Sequence, residues 1–114
     1  MVCAAGDLMR LPSVSFAAMA CSDPASAPSL QICGCSLVLV DRNTWGGVRA
    51  SALLNRGAAY ARSGNPDRAI EDYSEAIRLD PYDAAAYRYR SAAYFDKGDR
   101  ARAAADLQRA ARLK

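Results

Sequence analysis

A chain of 114 residues allows one domain, and with 52% hydrophobic residues it can bury a modest core. It has no histidine and no glycine-rich phosphate loop, and its serines occur without a base partner, which argues against an enzyme, a cofactor or a small-molecule substrate. The formal charge is only +3, with 15 cations interspersed among 12 acids, so nucleic-acid binding through arginine is a minor alternative.

Residues 1–20 read as a signal peptide or an unstructured segment. Arg10 precedes a mildly apolar stretch at 11–18, and Ala18-Met19-Ala20 fits the small-x-small cleavage rule, leaving Cys21 as the first mature residue. Against this, Asp7 lies where positive charge is usual, and Pro12, Ser13 and Ser15 dilute the apolar run. Cleavage implies a periplasmic or secreted protein, and its absence a cytoplasmic one. Lipid attachment at Cys21 is disfavoured because Ala18 stands where a lipoprotein box usually has leucine. No stretch approaches the roughly 20 apolar residues of a membrane span.

Residues 21–47 form a cysteine-containing extension with one predicted helix. Leu30, Cys33, Leu37 and Val40 recur at helical spacing, although the short branched run at 37–40 leaves a strand as the alternative. A helix here would cap the next segment as a degenerate half-repeat, with Trp45 covering the junction. All four cysteines, Cys3, Cys21, Cys33 and Cys35, lie in this first half. Without histidine or a C-x-x-C pair they make a poor metal site. They are either small buried residues or, in an exported protein, disulfide partners. Cys33 and Cys35 point to nearly opposite sides of a helix, so only one of them can meet Cys21.

Residues 48–114 contain one unit written twice, at 50–83 and 84–114. With Gly64 set on Gly98, Arg56 falls on Arg90, Tyr60 on Tyr94, Ala69 on Ala103, Asp72 on Asp106 and Ala76 on Ala110, without a gap. Leu53, Gly57, Tyr60 and Gly64 mark the stripe of one helix, and Ala69, Tyr73 and Ala76 that of a second. Gly64 ends the first helix, Asn65 caps the second and Pro66 occupies its first position. Asp80-Pro81 ends it, since the residue before proline avoids the α region. Gly98-Asp99 repeats the internal turn, and Asp83 is the expected cap of the helix after it. Glu71, Asp72 and Glu75 sit beside Arg68 and Arg78 at helical spacing, the pattern of a solvated, ion-paired face.

The series Gly57, Tyr60, Ala69, Tyr73, Ala76 and Pro81, with Asn55-Arg56-Gly57 and residues 69–73, resembles the tetratricopeptide repeat in its common bacterial form. Tyr94, Ala103 and Ala110 continue the signature in the second copy. There Ser91 replaces glycine, Leu107 replaces the aromatic, and no final proline follows. The resemblance covers about residues 48–114. It implies an all-α fold, a right-handed solenoid of tandem helix-turn-helix repeats with a concave, peptide-binding face.

Carried across position by position, the resemblance places Ser51, Leu54, Asn55, Ala58 and Arg62 in the groove from the first copy, and Ala85, Arg88, Tyr89, Ala92 and Phe95 from the second. Arg88 or Arg62 would pair with a carboxylate, and Tyr89 and Phe95 would supply stacking area. The clamp that holds chaperone tails needs lysine and asparagine where Leu54 and Ala58 stand, which disfavours that partner class. The implied function is a non-catalytic scaffold for a protein or peptide. Ile32, Cys35, Val38 and Leu39 are similar to the helix preceding the repeats in small exported bacterial proteins of this kind, which implies a Cys21–Cys35 disulfide. A loop of about 15 residues makes that bond worth roughly 3 kcal/mol. The apolar stripe Ala103, Leu107 and Ala110 suggests an alternative, a structural subunit or homo-oligomer associating through the last helix.

Overall fold

Gly64 and Gly98 take left-handed torsions, φ +83° and +88°, which side chains other than glycine rarely tolerate. Each closes a helix with the same pair of hydrogen bonds. Gly64 N–H donates to the Ala61 carbonyl at 3.1 Å and Asn65 N–H to Tyr60 at 2.9 Å; Gly98 N–H donates to Phe95 at 2.9 Å and Asp99 N–H to Tyr94 at 2.9 Å. The residue after each glycine then opens the next helix. The Asn65 carboxamide accepts from Arg68 N–H at 3.3 Å ahead of Pro66, and the Asp99 carboxylate accepts from Arg102 N–H at 3.1 Å. Asp83 caps the intervening helix through Ala85 N–H at 3.0 Å, as expected.

The computed structural model describes residues 14–41 and 44–113. Within them the chain is all α, with no strand: α1 (Val14–Ser22), α2 (Pro28–Val40), α3 (Gly46–Arg62), α4 (Pro66–Leu79), α5 (Ala84–Asp96) and α6 (Arg100–Arg112). Each helix packs on its neighbours in sequence, while α1 touches α3 and α3 touches α5. The first helices of successive hairpins therefore line one side of the stack.

The N-terminal part is a hairpin, with α1 added to the single helix expected there. The expected boundary at 20/21 falls inside α1. Asp7, Arg10, Pro12 and Ser13 of the leader reading, together with Cys3, Arg42 and Asn43, lie outside the described residues. The helix read at 30–40 is present, but only half of its expected stripe faces inward: Cys33 is buried and Leu37 half-buried, while Leu30 and Val40 are exposed, and Ile32, Cys35 and Val38 are buried beside Cys33. Cys35 is turned inward by the Cys21–Cys35 disulfide, whose Cα atoms are 4.5 Å apart. Val38 and the two cysteines pack with Ala52 and Leu39. No described cysteine is a free thiol.

Trp45 corrects a second expectation, since it is 71% exposed and does not cover the junction. Val38, Leu39 and Ala52 already fill that space, and polar contacts close its rim. Arg49 donates to the Leu39 carbonyl at 2.9 Å, and the Thr44 hydroxyl to the Val38 carbonyl at 3.0 Å. The indole ring is left outside, beside Gly47, where a Cβ would lie 2.8 Å from it.

A second cluster joins the two repeats: Ala69, Tyr73 and Ala93, with Leu54, Tyr60, Ala61 and Ile70 packed around them. Of the signature residues, Gly57, Ala69, Tyr73, Ala76, Ala103 and Ala110 are buried, Tyr60 and Tyr94 half-buried, and Pro81 exposed in its turn. The departures in the second copy compensate each other. A Cβ on Gly57 would lie 2.6 Å from the Tyr73 ring, so that aromatic requires glycine opposite it. In the second copy Leu107 replaces the ring, and Ser91 fits with its hydroxyl donating to the Ala103 carbonyl at 2.8 Å.

Candidate functional site

The scaffold under the site is fixed by two buried ion pairs of the same build. The Arg56 guanidinium donates from Nε and Nη2 to the two oxygens of Asp72, each at 2.8 Å, and Arg90 grips Asp106 with the same two distances. Such two-pronged contacts fix orientation as well as supply energy. Asp72 is therefore buried and paired across the hairpin, and the solvated face expected for it is wrong; Glu75, which pairs with Arg78, does lie on that face. The signal was visible as the same Arg-to-Asp spacing in both copies. Helical spacing to Arg68 obscured it, because that rule sees only neighbours on one helix.

Each arginine also reaches back one hairpin. Arg56 Nη1 donates to the Ser36 hydroxyl at 3.2 Å, and Arg90 Nη1 to the Ser74 hydroxyl at 3.1 Å. Thus α2 stands to α3 as α4 stands to α5. Tyrosines complete the joint: Arg56 and Arg68 each lie 6.0 Å from the Tyr60 ring centre, and Arg90 and Arg102 lie 5.8 and 6.0 Å from that of Tyr94. The hydrogen bonds to Asp72 and Asp106 raise Arg56 and Arg90 above their ordinary pKa, so both stay charged. Burial likewise pushes the Tyr73 phenol up and keeps it neutral. Arg78 holds the Glu75 carboxyl below its ordinary range.

On the side lined by α1, α3 and α5 lie two adjoining recesses. One, of about 300 Å³, is lined by Ser22, Pro24, Gln31, Leu54, Asn55, Ala58, Arg62 and Tyr89. The other, of about 230 Å³, includes Cys21, Val38, Val48, Ser51 and Ala52, and shares Ser22 and Asn55 with the first. Six of the ten residues assigned to the groove from sequence, Ser51, Leu54, Asn55, Ala58, Arg62 and Tyr89, thus come together. Tyr89 is held by Tyr73, with ring centres 5.8 Å apart. Arg62 is occupied within the chain: it donates to the carbonyls of Pro24 at 3.2 Å and Ser26 at 3.3 Å, and to the Gln31 carboxamide.

Arg88, Ala92 and Phe95 lie elsewhere, in a recess of about 690 Å³ between α5 and α6 that also includes Ala103, Ala104 and Leu107. Ala85 lines none of the three. What sequence missed is the contribution of the N-terminal hairpin to the groove wall: Ser22, Pro24 and Gln31 belong to a segment with no repeat signature. Among the described residues no group of three or more His, Cys, Asp or Glu is placed to hold a metal ion, and no helix is long and apolar enough to cross a membrane.

The family model described as "Tetratricopeptide repeat" matches residues 50–83, the bounds of the first unit. Residues 50–83 of this chain are a tetratricopeptide repeat, set within an all-α stack of helical hairpins.

Proposed function

We propose that the chain is a non-catalytic interaction scaffold that holds an extended segment of a protein partner along the two recesses lined by α1, α3 and α5. The observation that supports this most directly is Asn55, which borders both recesses and makes no side-chain hydrogen bond with another described residue. A carboxamide offers both donor and acceptor, matching the N–H and C=O of a peptide unit. Leu54, Ala58, Ala52 and Val48 give it an apolar floor, and Tyr89 an aromatic wall. Arg62 shapes the wall and does not meet the partner. The disulfide favours a periplasmic or secreted location over a cytoplasmic one.

Panning a displayed library of random peptides against the immobilised, oxidised chain tests this reading. Selected peptides should lose about tenfold in affinity on Asn55→Ala, the equivalent of one buried hydrogen bond, and should be unaffected by Arg112→Ala on the exposed end of α6. No enrichment, or binding indifferent to both Asn55→Ala and Tyr89→Ala, would refute it.

A second reading rests on the α5–α6 recess, where Phe95 is 60% and Leu107 53% exposed beside a floor of alanines. This face would join subunits of an assembly. It predicts sedimentation that rises with protein concentration and reverts to the single-chain value on Leu107→Glu; concentration-independent sedimentation rules out self-association.

A further inference from the structure

We propose that the Cys21–Cys35 disulfide gates the groove, so that the oxidised chain binds its partner and the reduced chain releases it. The proposal rests on the groove reading above and adds its regulation. Cys21 is buried, but it lines the same recess as Ser51 and Asn55. A dithiol reductant therefore approaches through the space a bound segment would fill. The step is a two-electron exchange: the chain's S–S bond breaks, Cys21 and Cys35 each end as a thiol, and the dithiol closes into its own disulfide.

What the bond holds in place is one wall of the groove. The described part of α1 has nine residues, fewer than the about 12–15 at which a free helix becomes even marginal in water. Among the described residues, the cluster around the disulfide is built from small side chains, the two cysteines, Val38 and Ala52, with Leu39 beside them, and the bond is the covalent tie at its centre. A polar relay ties that joint to the groove. The Gln31 carboxamide donates to the Cys21 carbonyl at 2.9 Å and accepts from Arg62, which also holds the carbonyls of Pro24 and Ser26. Once α1 detaches, the relay loses its anchor, and Ser22 and Pro24 leave the wall. The cluster of Ala69, Tyr73 and Ala93 shares no residue with this joint, so the release is local.

Hydrogen exchange decides the first part, comparing the oxidised chain, the chain treated with dithiothreitol, and the paired variant Cys21→Ala with Cys35→Ala, which leaves Cys33 unchanged. Protection over residues 18–27 should fall by about tenfold or more in the latter two while 66–112 keeps its protection. Unchanged protection at 18–27, or loss that spreads equally through 66–112, overturns the gate. For the second part, a library-selected peptide should bind the oxidised chain about tenfold more tightly than the reduced one. By linkage it should shift the equilibrium with reduced and oxidised dithiothreitol toward the disulfide by the same factor. Equal affinity in both states overturns the coupling. Failure to select any peptide counts against the groove, and with it against partner release, whereas the exchange pattern still decides whether the bond holds α1.

Discussion

Replacing Asp106 by alanine is expected to cost about 3 kcal/mol of unfolding free energy, the low end of the penalty for breaking a buried ion pair by removing one partner. Asp106 is 0% exposed and accepts from Arg90 Nε and Nη2 and from Arg109 Nη1, each at 2.8 Å. Without it the Arg90 guanidinium keeps only the Ser74 hydroxyl and the faces of Tyr87 and Tyr94. The low end applies because Arg90 is 15% exposed and can shift toward water. In a domain whose total stability is on the order of 5–15 kcal/mol, such a loss is large. Urea denaturation followed by circular dichroism measures it. Removing both charges, Arg90→Leu with Asp106→Leu, should destabilise less than Asp106→Ala alone, because no buried charge is left unpaired. A loss below about 1 kcal/mol for the single variant would show that the pair is not buried in solution.

Gly57→Ala is expected to change sign with the residue at position 73. Two effects oppose each other. Alanine gains up to about 1 kcal/mol over glycine inside a helix, while a Cβ 2.6 Å from the Tyr73 ring overpacks the seam at a cost of about 1–3 kcal/mol. In the native sequence the clash wins, and the variant should lose about 1–2 kcal/mol. In a Tyr73→Leu background the seam takes the form already present at Ser91 and Leu107, and the same substitution should be neutral or stabilising. A double-mutant cycle by thermal or urea unfolding isolates the coupling. If Gly57→Ala costs the same in both backgrounds, the Gly57–Tyr73 contact is not what selects glycine here.

The fold of the repeats was legible because each boundary is set by a local rule: Gly64 and Gly98 supply torsions other residues avoid, Asn65 and Asp99 cap, and Pro66 begins a helix. Residues 50–83 needed no knowledge of what lies across the hairpin. The N-terminal hairpin was harder to read, since almost any face of 30–40 is apolar and periodicity cannot choose among faces that all look hydrophobic. Cys21, a partner distant in sequence, turns Cys35 inward, so the stripe of Leu30, Cys33, Leu37 and Val40 was right only for Cys33 and in part for Leu37. Trp45 failed for a related reason: a large ring suggests burial, but the space it would occupy was already filled. The groove was legible in part. Asn55, Leu54, Ala58 and Tyr89 follow from helical register, whereas Ser22, Pro24 and Gln31 enter it only through tertiary contacts, and Arg62 is taken by backbone carbonyls that no pattern of side chains discloses.

The double reach of Arg56 and Arg90 bears on how such a chain can change its length. Each arginine clasps an aspartate within its own hairpin and a serine on the one before, so the fastening between units is the same at both joints although the surrounding sequence differs. A unit that offers serine on its outgoing helix and arginine on its incoming helix meets the chemistry it needs on either side. Gain or loss of a whole module then leaves every remaining clasp intact, and the stack can be extended or shortened without redesigning its interior.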